Sequence, residues 1–141
     1  MAPRNQKLEL LSRVPLFGGC ASRDLEEIGK LADEVDVPAG HTLMGEGVTA
    51  QEFFVVIEGS LRVERGGTRI ATLGPGDFVG EIGLVDGGPR SATVTAESPS
   101  RLFVIGHREF HSLLETHPGV QMKVLQALAQ RVRQLQPEGI H

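Results

Sequence analysis

Between Val35 and Ile105 apolar residues come in short runs separated by glycine, whereas the two flanking segments repeat them every three or four positions. Short alternating runs describe strands, and the three-to-four spacing describes helices. The first third therefore reads as helical: a short helix over Lys7–Leu11, closed before Pro15, and a second from Ser22 as N-cap through Leu25, Ile28, Leu31 and Ala32. Eight strands follow, over Asp33–Val37, Thr42–Met44, Phe53–Glu58, Ser60–Arg65, Thr68–Leu73, Asp77–Val79, Ser91–Ala96 and Arg101–Ile105. Leu61/Val63 and Leu102/Val104 alternate as half-buried strands do, while the unbroken Phe53–Ile57 run predicts a strand covered on both faces. Turns fall at Pro38-Ala39-Gly40, Glu58-Gly59, Gly66-Gly67 and Gly74-Pro75-Gly76-Asp77.

After Ile105 the helical period returns, over His107–Thr116 and then from Pro118 to Gln136. In the second of these, Leu125, Leu128, Val132 and Leu135 form a stripe of barely two heptads. Such a stripe serves either packing on the chain's own sheets or a seam between two copies. Strands at this spacing predict an α+β chain that is mainly β: an eight-stranded, jelly-roll-like β-roll with flanking helices. One domain over 1–141 is expected, with N-terminal helices to about residue 34, the roll over 35–106 and C-terminal helices over 107–136.

Composition narrows the partners. The 18 glycines and 8 prolines support a turn-rich β fold, and a net charge of −4 argues against broad contact with nucleic acid. With no Trp or Tyr, any ring recognition falls to aliphatic side chains or the six Phe. The single cysteine, Cys20, reads as a small half-buried residue and suits a reducing cytoplasm. There is no signal-peptide pattern and no apolar run of about 20 residues, so a cytoplasmic location and no membrane insertion are expected.

Candidate chemistry gathers in residues 78–94. Glycines at 80, 83, 87 and 88 let backbone amides point inward, and N–H groups at the start of a helical turn attract anions. Arg90 adds a permanent planar cation and Ser91 a hydroxyl donor, while Glu81 suits a sugar hydroxyl better than a phosphate. Spacing alone leaves two readings of Glu81 and Arg90, a structural ion pair or a phosphate–ribose pocket. Other chemistries lack their groups. His107-Arg108-Glu109-Phe110-His111 misplaces the glutamate for H-E-x-x-H, and no third ligand is evident, so no metal is expected. A cupin-type metalloenzyme needs converging histidines, yet His41 alone lies among the predicted strands. No Gly-x-Ser-x-Gly is present and Cys20 has no evident base partner, so the chain is read as non-catalytic.

The whole string is more specific than its parts. Gly80-Glu81-Ile82-Gly83-Leu84 followed by Pro89-Arg90-Ser91-Ala92-Thr93-Val94 closely resembles the phosphate-binding cassette of cyclic-nucleotide-binding domains. These occur in the bacterial catabolite activator, in regulatory subunits of cAMP-dependent kinase and in nucleotide-gated channels. The resemblance extends over Val14-Pro15-Leu16-Phe17, Phe54–Leu61 and Leu73–Phe78. It implies that Arg90 pairs with the exocyclic phosphate oxygens, that Glu81 accepts the ribose 2′-OH, and that Gly80 and Ile82 give backbone contacts on the ribose side. By the same resemblance Ser91 and the Ala92 amide complete the cradle, the long C-terminal helix acts as a lid, and Arg131 on it is a further contact.

Ser91 stands where cGMP-binding members often carry Thr, which leans toward cAMP, and Leu135 and Gln136 replace the hydroxyl residues that face adenine in the catabolite activator. No helix-turn-helix fits before His141, so direct DNA binding is not expected. The expected function is a cAMP- or cGMP-responsive sensor acting through a homodimer seam or an effector protein. The alternative is a degenerate roll used for protein contacts alone; intact Glu81 and Arg90 count against it.

Overall fold

A computed structural model describes residues 3–18, 20–45, 47, 52–80 and 92–135. Helix α1 spans Pro3–Arg13, a 3-10 turn follows at Pro15–Phe17, and α2 spans Ser22–Leu31. Helix α1 is longer than the Lys7–Leu11 expectation at both ends. Proline fits the first helical position, where the missing N–H has no partner to lose. The N-cap of α2 is Ala21, not Ser22; it is extended (φ −69°, ψ 159°) and makes no side-chain cap. Ser22 thus enters the first turn, where Asp24 places a carboxylate at the positive end of the helix dipole. Leu25 and Ile28 face inward as expected, but Ala32 already belongs to the first strand.

The strands are β1 (Ala32–Val37), β2 (Thr42–Met44), β3 (Glu52–Glu58), β4 (Leu61–Arg65), β5 (Thr68–Leu73), β6 (Phe78–Val79), β7 (Thr93–Ala96) and β8 (Ser100–Gly106). They form two antiparallel four-stranded sheets, ordered β1-β8-β3-β6 and β2-β7-β4-β5. The eight strands of the expected roll are all present, close to their predicted bounds. Two junctions have no loop: α2 runs into β1 at Leu31–Ala32, and β8 runs into the next helix at Gly106–His107.

The apolar residues divide into two clusters with β3 and β8 between them. Phe53 and Val55 join Phe103 and Ile105 against Leu11, Phe17, Ile28, Phe110 and Leu113 of the helical layer. Phe54, Val56 and Leu102 point the other way, into the roll, with Val37, Met44, Leu61, Val63, Val79, Ala92, Val94 and Ala96. The continuous β3 run is therefore covered on both faces, as expected. Strand β8 is too, which corrects the half-buried reading of Leu102/Val104: Phe103 and Ile105, which alternate with them, are fully buried under the helices.

Turn chemistry follows the glycines. Gly66 and Gly67 both have positive φ (59° and 81°), the two-residue connection that matches strand twist between β4 and β5. Gly59 is under tighter constraint. Its φ is 101°, and a Cβ built there would lie 2.7 Å from the Ser100 Cα. The close approach is held by Ser60 N donating to Ser100 Oγ (3.2 Å), while Ser100 Oγ donates to Ser98 O (2.8 Å). Gly59→Ala is expected to cost about 2–4 kcal/mol, combining backbone strain with displacement of β8. A melting temperature lower by roughly 5–15 °C is the readout; an unchanged midpoint would contradict the tight contact.

Helices α3 (His107–Thr116) and α4 (Pro118–Leu135) close the chain. Their junction is one residue, His117, whose N–H donates to Leu113 O while its carbonyl accepts from Val120 and Gln121. The imidazole sits with Nδ1 2.8 Å from Thr116 Oγ1 and Nε2 3.7 Å from Asp24 Oδ1 of α2. Val120 and Val124 carry the contact of α4 with the helical cluster. Leu125 of the expected stripe is 52% exposed beside Met122 at 54%, outside both buried clusters. The side chains of Leu128, Val132 and Leu135, and all of Gln136, lie outside the described residues.

Candidate functional site

The site predicted from sequence begins where the first sheet ends. The Gly74–Asp77 turn fixes the approach: Gly76 has φ 90° after Pro75, a type II arrangement. Asp77 Oδ2 accepts from Gly74 N at 2.8 Å, and Asp77 N donates to Gly74 O at 3.0 Å. The turn is laced to β3 by Val56 N donating to Asp77 O (2.8 Å) and Gly76 N donating to Val56 O (2.9 Å). Strand β6 then pairs Val79 with Phe54 and Phe78 with Val55.

Gly80 follows, buried, with φ 102°. That backbone is costly for any residue with a Cβ, which explains glycine at the point where the chain leaves the sheet. At the other end Ala92 is 4% exposed and leads into β7, which pairs with β4 and β2 of the second sheet. Gly80 and Ala92 thus terminate strands of opposite sheets, and Val79 and Ala92 share the roll interior with Met44, Leu61, Val63 and Val94. Glu81, Ile82, Arg90 and Ser91 lie outside the described residues, as does the rest of 81–91. Arg131 is on α4, with its side chain likewise outside them.

Several described cations near the sheets are engaged with carboxylates. Arg69 makes a two-pronged contact with Glu97 (3.0 and 3.1 Å), and Arg62 approaches Glu64 at 3.3 Å. Arg101 is 3.0 Å from Asp36; that hydrogen bond, then the charges of Asp36 and Glu34, hold its proton more firmly than usual. The Arg69 and Arg101 guanidinium groups are thereby committed to carboxylates, whereas Arg62 Nε is buried and makes no hydrogen bond despite its nearness to Glu64.

Cys20 is half-buried ahead of α2, as read from sequence; burial raises its pKa, the Asp24 charge adds to this and Lys123 opposes it, which favours the protonated thiol. Among the described residues no three His, Cys, Asp or Glu side chains gather as metal ligands, and His41 is exposed immediately before β2. No described helix is long and apolar enough to cross a membrane. Sequence reasoning did not single out Met44, Val63 and Val94 as wall residues beside Ala92. Their signal was the same period-two alternation that identified the strands.

Comparison with known proteins agrees with this geometry. The chain is 28% identical over 130 residues to the CRP-like cAMP-activated global transcriptional regulator of Mycobacterium tuberculosis, covering 89% of this chain and 58% of that protein. It is 35% identical over 112 residues to a cyclic nucleotide-gated potassium channel of Mesorhizobium japonicum, covering 79% and 31%. Among solved structures, the catabolite activator protein of Thermus thermophilus superposes with a TM-score of 0.78 at 30% identity, covering 85% of this chain and 59% of that one. The chain therefore spans little more than half the length of the regulator, and a third of the channel. The profile of the cyclic nucleotide-binding domain matches residues 34–117, from β1 through both sheets and α3 to the His117 junction. The two antiparallel sheets with flanking helices match the fold of the solved neighbour, and this chain belongs to the cyclic nucleotide-binding domain family.

Proposed function

We propose that residues 1–141 form one non-catalytic sensing domain that binds cAMP in preference to cGMP and changes conformation when it does. The observation that carries the reading is the unbroken Gly80–Val94 string with both Glu81 and Arg90 in place, together with Gly80 and Ala92 ending strands of opposite sheets. Arg90 neutralises the phosphate, Ser91 and the Ala92 amide donate to its oxygens, and Glu81 accepts the ribose 2′-OH, with Gly80 and Ile82 alongside through their backbones. Arg131 on α4 supplies a contact from the lid. The nucleotide is a ligand, not a cofactor, and drives a switch only to the extent that it prefers the closed state.

The output we favour is a homodimer through α4, supported by the exposed Met122 and Leu125, with an effector protein as the further partner. A cytoplasmic setting fits the lone, half-buried Cys20. Calorimetric titration with cAMP, cGMP and cyclic dinucleotides, run beside light scattering, tests the scheme. The expected result is one cAMP per chain, tighter than cGMP, with a dimer mass. Absence of binding by any cyclic nucleotide would replace the sensor with a protein-contact roll, and a monomer with and without ligand would remove the seam.

A further inference from the structure

The first five residues of α3 include two side chains that the nucleotide reading leaves unused. His107 and His111 are four residues apart, so the helix sets them one above the other on a single flank. Phe110 and Leu113 of the same helix are fully buried, whereas His107 is exposed and His111 half-buried. The two imidazoles meet edge to face, with ring centres 4.6 Å apart and planes at 71°. With a metal–nitrogen bond of about 2.0–2.1 Å, two imidazoles at right angles on one ion have centres about 4.5 Å apart, and at a tetrahedral angle about 5.2 Å. The ring spacing matches that of a right-angled pair, and a shared ion would require rotation about the outer side-chain bonds to aim one nitrogen of each ring at it.

We propose that His107 and His111 form a two-imidazole chelate for a divalent late transition cation, with Cu2+ held most tightly and Ni2+ and Zn2+ behind it. Neutral imidazole suits all three ions, and the right-angled spacing favours tetragonal Cu2+ over tetrahedral Zn2+. Because no third His, Cys, Asp or Glu joins them among the described residues, water completes the coordination and the ion exchanges freely. Glu115, exposed one turn beyond His111, adds negative potential along the same flank. The chelate closes a ring across one helical turn, so bound metal stabilises α3 by an amount that grows with the logarithm of free metal above the dissociation constant. Phe110, stacked on Phe53 at 4.5 Å, carries that stabilisation to β3.

The test is calorimetric titration of CuCl2 and ZnCl2 into the full untagged chain, comparing wild type with His107→Ala, His111→Ala, the double variant and His41→Ala. The expected result is a tightest Cu2+ site of one ion per chain, weakened about tenfold or more by either α3 substitution, since losing one donor forfeits the chelate. The double variant should be little worse than either single one, and His41→Ala should match wild type. Circular dichroism of each variant confirms that the helix is retained. Single variants that bind as tightly as wild type, or losses that simply add in the double variant, would overturn the chelate in favour of independent surface histidines.

Discussion

Replacing Arg90 with alanine is expected to weaken cyclic-nucleotide binding by about 2–5 kcal/mol, roughly 30- to several-thousand-fold in dissociation constant. The size of the effect comes from what remains after truncation. A cyclic phosphate keeps its negative charge at every physiological pH, and the guanidinium is the one group in the Gly80–Val94 string that can neutralise it. Backbone amides and the Ser91 hydroxyl still donate to the oxygens, but a charge held away from water without its counter-charge costs far more than a lost neutral hydrogen bond. Arg90→Lys should recover only part of the loss, because a point ammonium keeps the charge and forfeits the two-pronged geometry. Calorimetry on the three proteins reads the series, and equal affinity for wild type and Arg90→Ala would end the phosphate assignment.

The largest stability loss should come from Phe53→Ala, at about 3–5 kcal/mol. Phe53 is fully buried and its ring stacks on Phe110 at 4.5 Å and lies 5.6 Å from Phe78 at a tilt of 40°. Deleting it removes contacts to α3 and to β6 together, and leaves a cavity in a strand hydrogen-bonded on both sides, which cannot collapse to fill it. Phe53→Leu should lose much less, since most of the volume is kept. Against a total stability of about 5–15 kcal/mol for a domain of this size, the alanine variant would be visibly marginal in urea. A loss below about 1 kcal/mol would mean that the helical layer is not anchored on β3.

Much of this architecture is legible in the residues themselves. Strand bounds follow from glycine punctuation, and the double-sided character of β3 follows from Phe53–Ile57. For β8 the same inference is available from Leu102-Phe103-Val104-Ile105, but alternation in alternate positions drew attention to one face alone. Periodicity reports that a face is apolar and does not report what covers it. Helix α4 shows the same ambiguity: Val120 and Val124 meet the core while Leu125, on a neighbouring stripe, is half exposed. The N-cap of α2 was missed because Ser22 offers a good cap and the backbone begins the helix one residue earlier.

For the site, spacing alone left Glu81 and Arg90 open between an ion pair and a pocket. The full string pointed to the family, and of its length the structure describes Gly80 after β6 of one sheet and Ala92 before β7 of the other. Roles for Glu81, Ile82, Arg90, Ser91 and Arg131 continue to rest on the sequence string, which is why the Arg90 series is the decisive measurement.

The missing loops at Leu31–Ala32 and Gly106–His107 have a mechanical consequence. With no slack at either junction, α2 and α3 are extensions of the sheet, and neither can swing without dragging a strand. His117 is then the pivot left to the C-terminal arm. From there α4 extends over 18 residues, about 27 Å, so a rotation of about 10° at that one residue sweeps the far end through roughly 5 Å. Val120 and Val124, buried in the helical cluster within the first two turns, shift by only about 1–2 Å in the same rotation, while the tip is displaced by the width of a side chain.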